Sequence, residues 1–305
     1  MRIFVTGASG YIGHAVAKAF RAKGHVVYGL VRSDDDARLL SLDEIWPIMG
    51  DLNNPDSYRG ILNEVEVVVH CAMELSKNTV EVDAKTVDTI LGVLSSSPLS
   101  KAFIYTSGVW VYGSTNHKPA DEASPLNPID IAKWRPAHES KVLKAASPEL
   151  RTVVMRPGCV YGSVGGLTNI FFTSTQNGAV SIVGDGSNRW AMIHVQDLAY
   201  AYVAAAEKEL SNVILNVVDD SNYTVKEMAE AVARSAGVSD KVVSLSEEEA
   251  ESQFGPIAQG LALDQIVSNA RIKRLLGWQI HHLPFINEVD SYYHAWEAAQ
   301  EVQVF

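Results

Sequence analysis

A glycine-punctuated turn, TGASGYIG at residues 6–13, stands between an apolar run beginning at Ile3 and a helically spaced stretch in which Val16 and Phe20 share a face. Strand, glycine turn and helix in that order is the context that makes a GxxGxxG spacing meaningful. Gly7 permits the tight turn, Gly10 lets bare backbone approach a ligand, and Gly13 lets the helix pack closely on the strand. The helix N-terminus then offers unpaired N–H groups and the positive end of its dipole, a pairing suited to a pyrophosphate. The pattern predicts that Gly7, Ser9, Gly10, Tyr11, Ile12 and Gly13 hold the phosphates of a dinucleotide.

Short apolar runs then alternate with helical patterns: HVVYGLVR from His25, VEVVVHCAM from Val65, AFIYTS from Ala102 and TVVMRPG from Thr152. That alternation predicts an α/β fold with a Rossmann-type doubly wound parallel sheet covered by helices. Ligands bind beyond the carboxyl ends of such strands. The residues that follow Gly7, Val31, Cys71, Ser107 and Arg156 should therefore line one crevice, with Pro157 at its edge. Beyond Gly158 the pattern gives way to glycine-rich loops and a helical final third, in which Glu247–Glu251 reads as a solvated helix face. The expected division is a dinucleotide-binding domain of residues 1–158 joined by about 190–218, and a smaller substrate-binding domain of about 159–189 and 219–305.

At 305 residues and 47% apolar composition the chain can bury a large core, and its net charge of -11 would repel a phosphate backbone or an anionic membrane surface. Nucleic acid and membranes are not expected partners; a small-molecule substrate is. Cys71 and Cys159 lie in apolar runs without metal-ligand spacing, and the histidines are scattered apart from His281 and His282, so neither a disulfide nor a metal site is expected. With an apolar strand from Arg2, no leader peptide is expected, and the protein reads as cytoplasmic.

The residue after the second strand selects the dinucleotide, because a carboxylate there would suit the ribose hydroxyls of NAD and a cation the 2'-phosphate of NADP. Here the strand runs into Arg32 with Ser33 beside it, and Arg32 supplies a planar fork matched to phosphate. NADP(H) is favoured over NAD(H). The competing reading pairs Arg32 with Asp34–Asp36 in an exposed loop.

The ordered landmarks TGASGYIG, GDLNNP, VVVHCAM, YTSGVWVYG, MRPGCVYG, GDGSN, IHVQDLAYA, LNVVDD and NARIKRLLGW span most of the chain. Together they resemble the extended short-chain dehydrogenase/reductase group, which includes NAD-dependent epimerases and dehydratases. The resemblance implies that Asp51 and Leu52 lie by the adenine and that Cys71, Ala72 and Met73 line the cofactor crevice. It also implies pairing of two copies through helices, for which residues 80–94 are the candidate in a homodimer. In that group a tyrosine and lysine, spaced YxxxK, serve proton exchange and ribose binding, aided by a serine after the fifth strand.

This sequence departs from that pattern. The stretch NPIDIAKWRPAHESKVLKA contains no tyrosine: one register puts Ile131 and Arg135 at the tyrosine and lysine positions, the other Ala137 and Lys141. Gly108 takes the usual serine position, one place after Ser107. The resemblance thus implies an atypical member whose proton donor must come from Ser107, His138, Tyr112 or a bound water, with Arg135 free to hold ribose hydroxyls or a substrate anion. Pro136 suits the first turn of a helix starting near Trp134, which would leave Ile131 outside it. Arg189, Trp190, Asn169, Phe171 and Phe172 are candidate substrate contacts, although Trp110, Trp134 and Trp190 also fit a core role. Two further readings stand beside an NADP-dependent oxidoreductase or epimerase-like enzyme: a non-catalytic NADP(H) sensor, and a redox-neutral isomerase or lyase that keeps its cofactor.

Overall fold

The computed structural model describes residues 1–74, 76–238 and 241–301. The amino-terminal part alternates strands and helices: β1 (Arg2–Thr6), α1 (Tyr11–Ala22), β2 (Val26–Val31), α2 (Asp34–Leu42), β3 (Trp46–Met49), α3 (Arg59–Glu64), β4 (Val67–His70), α4 (Thr79–Leu94), β5 (Lys101–Thr106), α5 (Arg135–Lys144) and β6 (Leu150–Pro157). Thereafter come β7 (Cys159–Tyr161), α6 (Asn169–Thr175), β8 (Val180–Val183), β9 (Met192–His194), α7 (Val195–Glu207), β10 (Val213–Val217), α8 (Val225–Ser235), β11 (Val242–Leu245), α9 (Glu247–Phe254), α10 (Ala258–Leu261), α11 (Ala270–Leu276) and α12 (Val289–Glu301).

Seven strands form one sheet in the order β10-β6-β5-β4-β1-β2-β3, and every neighbouring pair is parallel. Successive side chains of a strand point to opposite faces. Ile3, Val5, Val67, Val69 and Ile104 accordingly pack with Val16 and Phe20 of α1, Leu198 of α7 and Ile272 of α11. Their neighbours Phe4, Val68, Phe103 and Val154 pack on the other face with Leu62 of α3, Val87, Ile90 and Leu94 of α4 and Val142 of α5. Burial on both faces is why these strands read as continuous apolar runs.

A separate apolar cluster joins Phe171 and Phe172 of α6, Trp190, Met228 and Val232 of α8, and Trp296 of α12. Beside it lie two small parallel pairs, β7 with β9 and β8 with β11. Phe171 and Phe172 are each 1% exposed, and Phe171 stacks on Trp190 at 5.1 Å, so these rings are core and not the substrate wall expected of them. The apolar row of α4 packs on the sheet, while Glu81, Lys85 and Asp88 face outward. The acidic run of α9 is solvated as anticipated, its start closed by a reciprocal Ser246–Glu249 cap. Among the described residues no helix is long and apolar enough to cross a membrane.

Candidate functional site

Because β2, β1, β4, β5 and β6 are parallel neighbours, their carboxyl ends meet along one edge of the sheet. Gly7 begins the site there with φ +69, and a Cβ on it would lie 2.8 Å from the Ala72 backbone beyond β4. Only glycine permits this conformation and this approach together. The turn closes with Gly10 N–H donating to Gly7 O at 2.9 Å, and a Cβ on Gly13 would lie 2.1 Å from that oxygen. Gly13 thus packs on the turn itself, where the sequence suggested the strand. Among the described residues no side chain caps α1 and no acid stands in its first turn, so the amides of Tyr11, Ile12 and Gly13 meet the crevice bare. This cradle fits a pyrophosphate. Tyr11 itself turns away, its hydroxyl donating to Gly162 O at 2.8 Å, and a Cβ on Gly165 would lie 2.2 Å from its ring.

Arg32 leaves the end of β2 with its side chain 69% exposed and Nη1 3.6 Å from Glu74 Oε2. The acidic triplet does not hold it: Asp34, Asp35 and Asp36 occupy the first turn of α2, where the dipole favours them, and Asp35 pairs with Arg38. Ser33 caps that helix, accepting from Asp36 N and donating to Asp36 Oδ2. Asp51 accepts from Asn53 N and Nδ2, and these bonds hold its carboxyl below the usual range; Leu52 is buried among Leu30 and Tyr58.

At the far end of the crevice Arg135 opens α5, with Pro136 in its first turn and Ile131 in a separate 3₁₀ turn before it. Its Nη1 donates to Thr106 O at 3.0 Å, Nη2 lies 3.3 Å from Met73 Sδ, and the guanidinium covers the Trp134 ring at 4.5 Å. Thr106 shares a hydrogen bond with Tyr202 at 2.7 Å and reaches Cys71 Sγ at 3.4 Å. Burial pushes the Cys71 and Cys159 thiols up to about 12, which makes both poor nucleophiles. Pro157, buried at the end of β6, holds its carbonyl toward Gly108.

The fold separates the proton-donor candidates. The Ser107 hydroxyl donates to Glu139, which also grips Arg156 through Nε at 3.0 Å and Nη2 at 2.5 Å. Arg156 Nη1 donates to Tyr112 OH, and that hydroxyl donates to Asn216. Ser107 and Tyr112 are therefore members of a buried ionic network beneath the crevice. His138, expected as a surface histidine or a proton donor, is buried one turn below Arg135, with Nδ1 2.6 Å from Asp83 Oδ2 and its ring against Trp134. Asp83 also receives Tyr105 OH at 3.0 Å and His70 Nε2 at 3.0 Å, and His70 Nδ1 meets Thr6 Oγ1 at 2.7 Å. The sequence reading missed Thr6, His70, Asp83 and Tyr105. A signal existed, because Asp83 shares the apolar stripe of Val87, Ile90 and Leu94, where an acid needs partners.

A second gathering was invisible to spacing: ligand atoms of His194, Asp197 and His282 all lie within 4.8 Å of one another. Asp197 already accepts the N–H groups of His281 and His282, and His194 Nδ1 accepts that of Gln196 at the positive end of α7. The trio caps a helix, an arrangement that opposes a cation. Of the expected substrate contacts, Arg189 is half-buried with its N–H on Asp264, and Asn169 donates to Val164 O.

Residues 3–217 match the model of the NAD dependent epimerase/dehydratase family. An uncharacterized protein of Schizosaccharomyces pombe is 30% identical across 95% of this chain and 99% of its own length. Among solved structures, dTDP-glucose 4,6-dehydratase from Bacillus anthracis in complex with NAD superposes with a TM-score of 0.83 at 18% identity, covering 99% of this chain and 98% of that one. The human epimerase family protein SDR39U1 with NADPH gives 0.78 at 22% identity over 96% of this chain and 99% of its own. With its parallel sheet and glycine cradle, the chain belongs to the NAD(P)-binding NAD dependent epimerase/dehydratase family.

Proposed function

We propose that the protein is an NADP(H)-dependent oxidoreductase or epimerase-like enzyme acting on a carbonyl or secondary alcohol of a small metabolite, with His138 as its proton donor. When bound, the nicotinamide supplies hydride transfer to or from the oxygen-bearing carbon. The amides of Tyr11, Ile12 and Gly13 would hold the pyrophosphate, with Gly10 leaving room for it, and Arg32, freed from Glu74, would meet a 2'-phosphate with its planar fork. Arg135 stays charged at any working pH, so it orients an oxygen or a ribose hydroxyl and gives up no proton. Ser107 and Tyr112 are committed to the Arg156 network. The observation that carries the reading is that His138, beside Arg135, keeps Nε2 without a hydrogen-bond partner among the described residues.

Mixing the protein with NADPH should shift the cofactor fluorescence, and Gly7→Val with Gly10→Val should abolish the shift. A panel of small carbonyl compounds should then show NADPH oxidation that falls about 10²- to 10⁴-fold in His138→Ala. Binding that survives both glycine replacements would sink the cofactor assignment. Binding without turnover of any compound would favour the sensor reading, which Ile131 and Gly108 at the expected donor positions support.

A further inference from the structure

The structure assigns Asp83 the task of a positioning residue: from the middle of a buried chain it fixes which nitrogen of His138 carries a proton and which faces the reaction. This deepens the oxidoreductase reading and rests on it for its purpose. The carboxylate is 6% exposed and has contacts on both oxygens, His70 Nε2 on Oδ1, and His138 Nδ1 and Tyr105 OH on Oδ2. Burial alone would raise this acid, yet hydrogen bonds from His138 and His70 hold it well below the usual carboxylate range.

An ionised carboxylate only accepts, so all of these partners must donate. His138 is then protonated at Nδ1, and its Nε2 is the nitrogen that gains and loses the mobile proton. His70 is protonated at Nε2, so its neutral ring accepts from Thr6 through Nδ1. Thr6 directly precedes Gly7, and its oxygen lies 3.4 Å from the Ala72 amide. The ordered donors therefore run from the foot of the cofactor turn to the first turn of α5.

In the reducing direction the Nε2 proton would pass to the substrate oxygen, and bound NADPH would supply the hydride that the carbon takes up. The C=O bond becomes C–O–H, and the imidazolium becomes the neutral Nδ1–H ring with its positive charge discharged beside Asp83. Oxidation returns the same proton to Nε2. Charged or titratable groups near the ring are Asp83 from α4, His70 from β4, Tyr105 from β5, and Arg135 and Glu139 from α5 itself, the last neutralised by Arg156.

The full chain labelled isotopically at histidine nitrogen decides the matter by NMR, without any substrate. Expected are the Nδ1–H form for neutral His138, the Nε2–H form for neutral His70, and a change in the His138 Nε2 signal when NADPH is added. In Asp83→Asn the His138 preference should be lost while NADPH still binds. An Nε2–H form of His138 in the unaltered protein, an unchanged preference in Asp83→Asn, or no response to NADPH overturns the assignment. If Asp83→Asn fails to fold, His138→Asn keeps a donor toward Asp83 but removes Nε2. It should bind NADPH normally and lose about 10²- to 10⁴-fold in turnover, and full turnover would overturn the assignment. Finding the tautomers as stated but no carbonyl turned over would support the positioning role and reject the oxidoreductase reading alone.

Discussion

A methyl group added at Gly13 would lie 2.1 Å from the Gly7 carbonyl oxygen, whereas at Gly10 the nearest atom, the same oxygen, is 3.3 Å away. The first clash is with backbone and has nowhere to go, so Gly13→Ala should cost about 1–3 kcal/mol and weaken NADPH binding with it. Gly10→Ala should cost about 1 kcal/mol or less in folding, yet place its methyl where phosphate must approach. Thermal melts and fluorescence titrations of the two variants separate these effects; equal melting losses would contradict the packing argument. Arg32 poses a different question, since its competitor in the absence of a phosphate is Glu74. A charge-assisted hydrogen bond contributes about 1.5–3 kcal/mol, so Arg32→Ala should weaken NADPH about 10- to 100-fold and leave NADH within about 2-fold. Parallel titrations with both cofactors check this, and an equal loss for the two would remove Arg32 from the 2'-phosphate site.

At the scale of an element, α7 depends on protonation at its first residues. His194 caps the helix by accepting from Gln196 N, and its ring stacks on His282 at 3.6 Å. Burial first, then the charge of His282, lower His194 to about 4 from an ordinary 6.5. The unfolded chain therefore takes up this proton below pH 6.5 while the folded one resists until about 4, so the stability tied to neutral His194 is complete above 6.5 and lost toward 4. The loss amounts to about 3 kcal/mol. Urea midpoints measured across that window should fall in the unaltered protein and flatten in His194→Asn, which can still cap the helix. Asp83 has the opposite sign of shift from burial alone, being held low, and its contribution disappears only in stronger acid. The two windows are distinct, so acid titration reports α7 before it reports the chain beneath the crevice.

For the whole molecule, a cofactor that binds only the folded state adds stability by mass action. NADPH at a hundred times its Kd should contribute about 2.7 kcal/mol and raise Tm by about 5 °C, with a smaller rise for NADH at equal concentration; differential scanning fluorimetry compares them directly. A larger rise with NADH would reverse the proposed preference. The sheet, its crevice and the cradle were legible in the sequence because each rests on neighbouring residues: strands buried on both faces, glycines where only glycine fits, and a helix start left uncapped. Pro136 marked the start of α5 for the same local reason. The fate of each polar side chain was not legible, since it depends on what lies across the core. Asp83 and His138 are 55 positions apart, and Ser107 and Glu139 are 32 apart. Phe171 and Phe172 looked the same in sequence whether they lined a cavity or filled a core. Backbone propensity and hydrophobic period thus determined the framework, while the tertiary structure decided which hydroxyls and imidazoles are spent on buried partners, because a buried polar atom takes whatever donor or acceptor the fold brings to it.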